Sequence, residues 1–177
     1  MNQLSPAIRF GLFLAAASIL LSIIPYLLDM KTMTMFFGVI SFIISIVFMF
    51  LSGTSERDSL GGFITWKQAL KTIWICGLIG FGIGTLYQVV FMKYIDPELM
   101  EEQKEMQIKM MEGMRGTMGD EATEAQIERI QSEDVMSFKN ISMMIGGSAI
   151  MAFFIAAILA LIVKRDNPNE LFDKYGN

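Results

Sequence analysis

The chain has 177 residues, 53% of them hydrophobic and 18% charged, with a mean hydropathy of +0.49. Its net charge is -4, and it has no histidine and a single cysteine, Cys76. The missing histidines remove the usual metal ligand and neutral-pH proton shuttle, and one cysteine can form neither an intrachain disulfide nor a thiolate cluster.

Four stretches carry no charged residue: residues 10–28, 33–51, 72–92 and 141–163. A helix needs roughly 20 apolar residues to cross a hydrocarbon core of about 30 Å. A chain of 177 residues cannot supply a core large enough to bury four such helices in water. The reading is therefore an all-α polytopic membrane protein, a single integral domain whose lipid bilayer is its solvent.

The first run follows only Arg9 and the amino group and is too long for a signal-peptide core, so it is expected to be a retained anchor. Pro25 falls near its end, where it kinks the helix or marks its last turn. The turn Asp29-Met30-Lys31-Thr32 makes the first two spans a tight helical hairpin. Ser41 and Ser45, four apart, give the second span one small side, and Ser52-Gly53 reads as its C-cap. Gly61-Gly62 supplies a turn, and Thr65-Trp66-Lys67-Gln68 fits a capping box that starts the third helix before the bilayer core. Trp66 and Lys67 then sit at the headgroup level.

The third span carries Gly77, Gly80, Gly82 and Gly84, with Gly80 and Gly84 in a GxxxG pair and Cys76 extending the small face. The fourth span answers with Ser148, Ala152, Ala156 and Ala160, a small residue every four positions. Small faces let membrane helices approach closely, either within one bundle or in a homo-oligomer. A dinucleotide-binding reading of the glycines fails, because no strand precedes them and no acid follows at the needed spacing. Tyr87 and Gln88 are polar groups near the outer end of this span, and Gln88 reads as an interhelical hydrogen bond or a pocket lining. The uncharged runs hold no ionisable side chain of the kind that marks a proton path, which argues against a proton-coupled transporter.

Between the third and fourth spans lies an acidic insertion over residues 93–140. Asp96-Pro97-Glu98 has the order of a helix start: cap, proline at the first position, acid in the first turn. Leu99, Gln103, Met106, Met110 and Met114 then fall on one stripe at helical spacing, until Gly113, Gly116 and Gly119 break the run. A second helix is expected from about Asp120, carrying Ile127 and Ile130 and continuing through Ser132-Glu133-Asp134 into the fourth span. This is an extramembrane helical hairpin. Its methionines Met106, Met110, Met111 and Met114 have three readings: the hairpin's own apolar face, a surface for lipid or a protein partner, or a thioether copper site without the His or Cys that usually accompany one. Glu98, Glu101, Glu102 and Glu105 read as a solvated face, and so acidic a segment makes nucleic-acid binding improbable. The tail with Asn167-Pro168-Asn169 is a short polar end, expected to be mobile.

Four spans put both termini on one side. That side carries seven basic residues against five acids, the other seven against thirteen. The choice falls to residues beside the spans: Arg9, Lys71, Lys164 and Arg165 on the first side, Lys31, Lys93 and Lys139 on the second. The balance places both termini in the cytoplasm and the acidic insertion outside.

Two short motifs frame the Gly-rich span: Gly62-Phe63-Ile64-Thr65-Trp66-Lys67-Gln68-Ala69 with Lys71 before it, and Tyr94-Ile95-Asp96-Pro97-Glu98 after it. With the four-span plan and the long third loop, the chain resembles the small bacterial membrane proteins grouped as domain of unknown function 4199. The resemblance spans nearly the whole chain and implies a bacterial inner (cytoplasmic) membrane location. It implies no activity, cofactor or catalytic residue. The residues themselves offer no catalytic constellation, metal site or cofactor site. Paired acids near the outer interface, Asp96 and Asp134, are the weak case for a membrane enzyme. The expected function is that of a non-enzymatic accessory or interaction subunit acting through the acidic hairpin, with Leu99, Met106, Met110 and Met114 as its face for a membrane-protein partner. The alternative is small-solute permeation through a bundle or oligomer.

Overall fold

A computed structural model describes residues 4–28, 34–132 and 137–167. Among them the helices are α1 (Pro6–Leu27), α2 (Thr34–Ser59), α3 (Trp66–Tyr94), α4 (Glu98–Gly113), α5 (Arg115–Met118), α6 (Asp120–Ser132) and α7 (Phe138–Val163). Four of these, α1, α2, α3 and α7, are long and apolar enough to cross a membrane. The described fold is all-α, with one isolated backbone bridge between Ile64 and Arg165. The expected turn at Asp29–Thr32, the run through Glu133 and Asp134 and the tail from Pro168 lie outside the described residues.

The chain divides into two compact units, Met1–Thr85 with Ile145–Asn177, and Leu86–Met144. In the first unit the packing is inside-out by the standards of water. Its buried positions are largely small, among them Ala15, Ser45, Ser52, Cys76, Ala152 and Ala156, with Leu14, Met49 and Ile73 filling between them. Leu20, Phe36, Ile43, Ile158, Leu161 and Ile162 are each more than half exposed. Side chains of that kind gain ~1.5–3 kcal/mol each from leaving water, so their outward placement is stable only where hydrocarbon surrounds them. Small residues inward and branched apolar residues outward is the arrangement lipid selects.

Glycines set the helix crossings. A Cβ at Gly11 of α1 would lie 2.9 Å from Ile79 Cβ and 3.0 Å from the Cys76 carbonyl oxygen of α3. One at Gly77 would lie 3.0 Å from both Ala152 Cβ of α7 and Met49 Cε of α2, so three helices meet there. Gly53 is a correction to the reading of Ser52-Gly53 as a C-cap. α2 runs on to Ser59, and Gly53 sits inside it, where a Cβ would come within 2.7 Å of Ile73 Cδ1. This glycine serves close approach. The stop comes later: Gly61 has φ +82°, its N–H donates to the Asp58 carbonyl, and Gly62 N–H donates to Arg57 O at 2.9 Å. That pair of bonds is a Schellman motif, which satisfies the last carbonyls of the helix.

The start of α3 has the expected cap. Thr65 N–H donates to Gln68 Oε1 at 3.0 Å, and the Gln68 N–H reaches back to Thr65 Oγ1 at 3.4 Å. Just before it, Ile64 and Arg165 exchange two main-chain hydrogen bonds of 2.9 and 3.0 Å, which lash the α2–α3 connection to the end of α7. Two indoles tie α3 to α7: Trp74 Nε1 donates to Ala149 O at 3.1 Å and Trp66 Nε1 to Ala157 O at 3.4 Å. The Trp74 ring also meets Phe153 edge-on at 5.7 Å. Pro25 is buried in the last turn of α1.

The second unit holds the end of α3, the α4–α6 hairpin and the start of α7. Asp96 caps α4: its Oδ1 accepts the Leu99 N–H at 3.2 Å, although the helix proper begins at Glu98. Gly119, at φ +86°, turns the chain into α6, which begins at Asp120. The fully buried Thr123 donates its hydroxyl to Gly119 O at 2.8 Å, which closes the turn from inside.

Candidate interaction surface

α4, with its C-cap Met114 and the first residue of α5, Arg115, has three strips. Met100, Lys104, Ile108, Met111 and Arg115 are the half-buried positions of one side, the side available to α6. Leu99 and Gln103 are also half-buried near the first turns. Met106, Met110 and Met114 stand outward, exposed by 47%, 53% and 42%. Four-residue steps turn a helix by about 40°, so these three thioethers occupy an arc of about 80°. The next arc round the helix is acidic: Glu98, Glu102, Glu105 and Glu112 are all exposed, with Lys109 among them.

The ion pairs of this unit are local. Lys104 pairs with Glu101 at 3.6 Å and Lys109 with Glu105 at 3.9 Å, both within α4. Arg115 joins the two arms, with Nη1 3.1 Å from Asp120 Oδ1 and 3.4 Å from Glu124 Oε1. Those hydrogen bonds, first to Asp120 and then to Glu124, raise its pKa still further. Glu98 and Glu112 have no ion-pair partner among the described residues. Between residues 86 and 144 the sequence carries twelve acids and six basic residues, so this unit is a concentrated negative field.

The small residues singled out in the spans divide. Gly77 and Gly80 sit at helix crossings, Gly80 against Leu14, and Ala152, Ala156 and Ala160 are fully buried in the bundle. Gly84 has no atom within 4 Å of where a Cβ would stand. Ser148 is half-buried and donates to Ile145 O of its own helix at 2.8 Å. Gln88 is half-buried and makes no side-chain hydrogen bond among the described residues, and Tyr87 stacks at a tilt on Phe91, 5.7 Å away. Asp96 is occupied as a helix cap, and Asp134 lies outside the described residues. Sequence reading did not single out Gly11, Met49 or Trp74, and it placed Trp66 at the headgroup level without its bond to Ala157 of α7. Trp74 is the third residue of the run 72–92, where a tryptophan reads equally as an interfacial anchor, so the sequence held no separate signal for its bond to α7.

No curated protein and no solved structure matches the chain. A family of proteins of unknown function, DUF4199, matches residues 9–165. The match takes in all four apolar helices and the acidic hairpin between them, and the chain belongs to that family.

Proposed function

We propose that the protein is a non-enzymatic accessory subunit of a bacterial inner membrane that works by contact, with the α4–α6 hairpin as its recognition element. The observation that carries this reading is the outward ridge of Met106, Met110 and Met114, on a helix whose half-buried side is already available to α6. Thioether ridges adapt to varied partner surfaces, and exposing three of them side by side has no benefit to the hairpin's own fold. The excess of Lys and Arg beside the spans at Arg9, Lys71, Lys164 and Arg165 supports cytoplasmic termini and an external hairpin.

The test is a photo-crosslinking residue in place of Met110, activated in native membranes. A single discrete adduct is the expected result, with the same residue at buried Thr123 giving only intrachain products. Removing residues 98–132 should abolish the complex seen on a native gel. A complex of unchanged size after that deletion, with no discrete adduct from position 110, would overturn the reading.

A further inference from the structure

The methionine ridge and the acidic strip lie edge to edge on one helix, and together they specify the chemistry of what covers them. We propose that Met106, Met110 and Met114, with the carboxylates of Glu98, Glu102 and Glu112 beside them, form a seat for a cationic amphipathic helix. The proposal rests on the interaction reading above and names the class of partner. An apolar ridge on a helix is complementary to the i, i+3, i+4, i+7 stripe of another helix, which can lie along it. The strip beside the ridge then faces the flank of that stripe. Glu98 and Glu112 bring negative charge without a cation partner among the described residues, so lysine or arginine on the incoming helix supplies what is missing.

Two other occupants fit the charges worse. Interfacial helices that lie on anionic lipid carry Lys and Arg along the edge of their apolar face, and α4 carries glutamates there. A second copy of this chain would bring α4 or α6 of the same sign, and like charges set against one another oppose docking. A cationic helix gains from both strips at once. Its encounter is also accelerated by the field of the whole acidic unit, an effect that salt screens within about 8 Å at physiological ionic strength.

The experiment uses the full chain in nanodiscs of phosphatidylcholine alone, with binding to empty nanodiscs subtracted, because a cationic striped peptide adsorbs to anionic lipid by itself. The probe is a fluorescein-labelled Leu/Lys peptide of about 16 residues with a single apolar stripe, compared with a scrambled peptide of the same composition. The striped peptide is expected to bind at least about tenfold tighter than the scrambled one, and less tightly as salt rises. The triple variant M106S/M110S/M114S is expected to lose about tenfold in affinity. The variant E98Q/E102Q/E112Q is expected to lose a similar factor, about tenfold, and to flatten the salt dependence. All six positions are exposed, five on α4 and Met114 at its C-cap, and far-UV circular dichroism checks that helicity is kept. Hydroxyl-radical footprinting without peptide should oxidise the three thioethers at a solvent-exposed rate, and added striped peptide should protect them.

Equal binding of the scrambled peptide, or indifference to either triple variant, overturns the proposal. So does protection of the methionines by the nanodisc alone, which would mean that lipid covers the ridge. A discrete adduct at Met110 in native membranes with no binding of the striped peptide leaves the interaction reading standing and removes the cationic helix. Failure of both removes both.

Discussion

A methyl group added at Gly80 would land on Leu14, 2.6 Å from its Cγ and 3.1 Å from its Cβ, whereas one added at Gly84 would meet no atom within 4 Å. The two glycines share a motif, and only one of them holds helices together. Leu14 is fully buried, so Gly80→Ala must push a core side chain of α1 out of its place. Overpacking of this kind costs ~1–3 kcal/mol. Gly80→Ala is therefore expected to lower the melting temperature in mild detergent, and Gly84→Ala to leave it unchanged or slightly higher, because alanine is the better helix former. Equal melting temperatures for the two variants would mean that α1 does not pack on α3 at Gly80. The indoles act at the same scale by different chemistry. Trp74 supplies a rigid apolar ring against Phe153 and a donor for a carbonyl of α7, one residue joining two helices through both ends of its side chain.

Helix ends were the most legible elements, because their chemistry is local. The Thr65–Gln68 box and the Asp96 cap need a hydroxyl, an amide or a carboxylate at fixed spacing, and both form as their residue types dictate. The end of α2 was not legible at Ser52-Gly53, since a glycine that permits a left-handed turn and one that permits close packing have the same letter. Only the neighbouring Ile73 separates the two uses, and it is distant in sequence. The inner face of α4 was hidden for a related reason. Methionines at 100, 106, 110, 111 and 114 give two apolar stripes, and the folding back of α6 decides which is covered. The Ile64–Arg165 bridge had no signature at all, because main-chain groups pair whatever the side chain. It can be tested through that indifference. Arg165→Ala keeps both main-chain bonds and loses only the guanidinium contact with the Phe63 ring at 5.8 Å, an effect of ~0.5–1 kcal/mol. Arg165→Pro removes the N–H that Ile64 O accepts and leaves a buried carbonyl unpaired, at ~1–3 kcal/mol. Amide exchange at Ile64 is expected to quicken in the proline variant and to change little in the alanine variant. Similar exchange in both would show that the bridge carries no strength.

At the scale of the molecule, polar bonds tie the helices of the first unit together at one end. Arg9 Nη2 donates to Ser55 Oγ at 3.2 Å, joining the start of α1 to the last turns of α2. The α2–α3 connection is pinned to α7 at Arg165 by the bridge of 2.9 and 3.0 Å. The same end gathers Arg9, Arg57, Lys67, Lys71, Lys164 and Arg165, the charges that favour retention on the cytoplasmic side. Cys76 makes the orientation testable without a background. It is the sole cysteine, fully buried inside α3, so a membrane-impermeant maleimide should leave the native chain unlabelled. Cysteines introduced as Glu112→Cys on the exposed side of α4 and Asp58→Cys near the end of α2 then test the proposed orientation. In intact spheroplasts Glu112→Cys is expected to label and Asp58→Cys to stay silent until the membrane is opened. The reverse pattern would invert the topology and put the acidic hairpin, with any helix seated on it, in the cytoplasm. Labelling of both before the membrane is opened would mean that the apolar helices do not separate the two ends, and the bundle would then need some solvent other than lipid for its outward leucines and isoleucines.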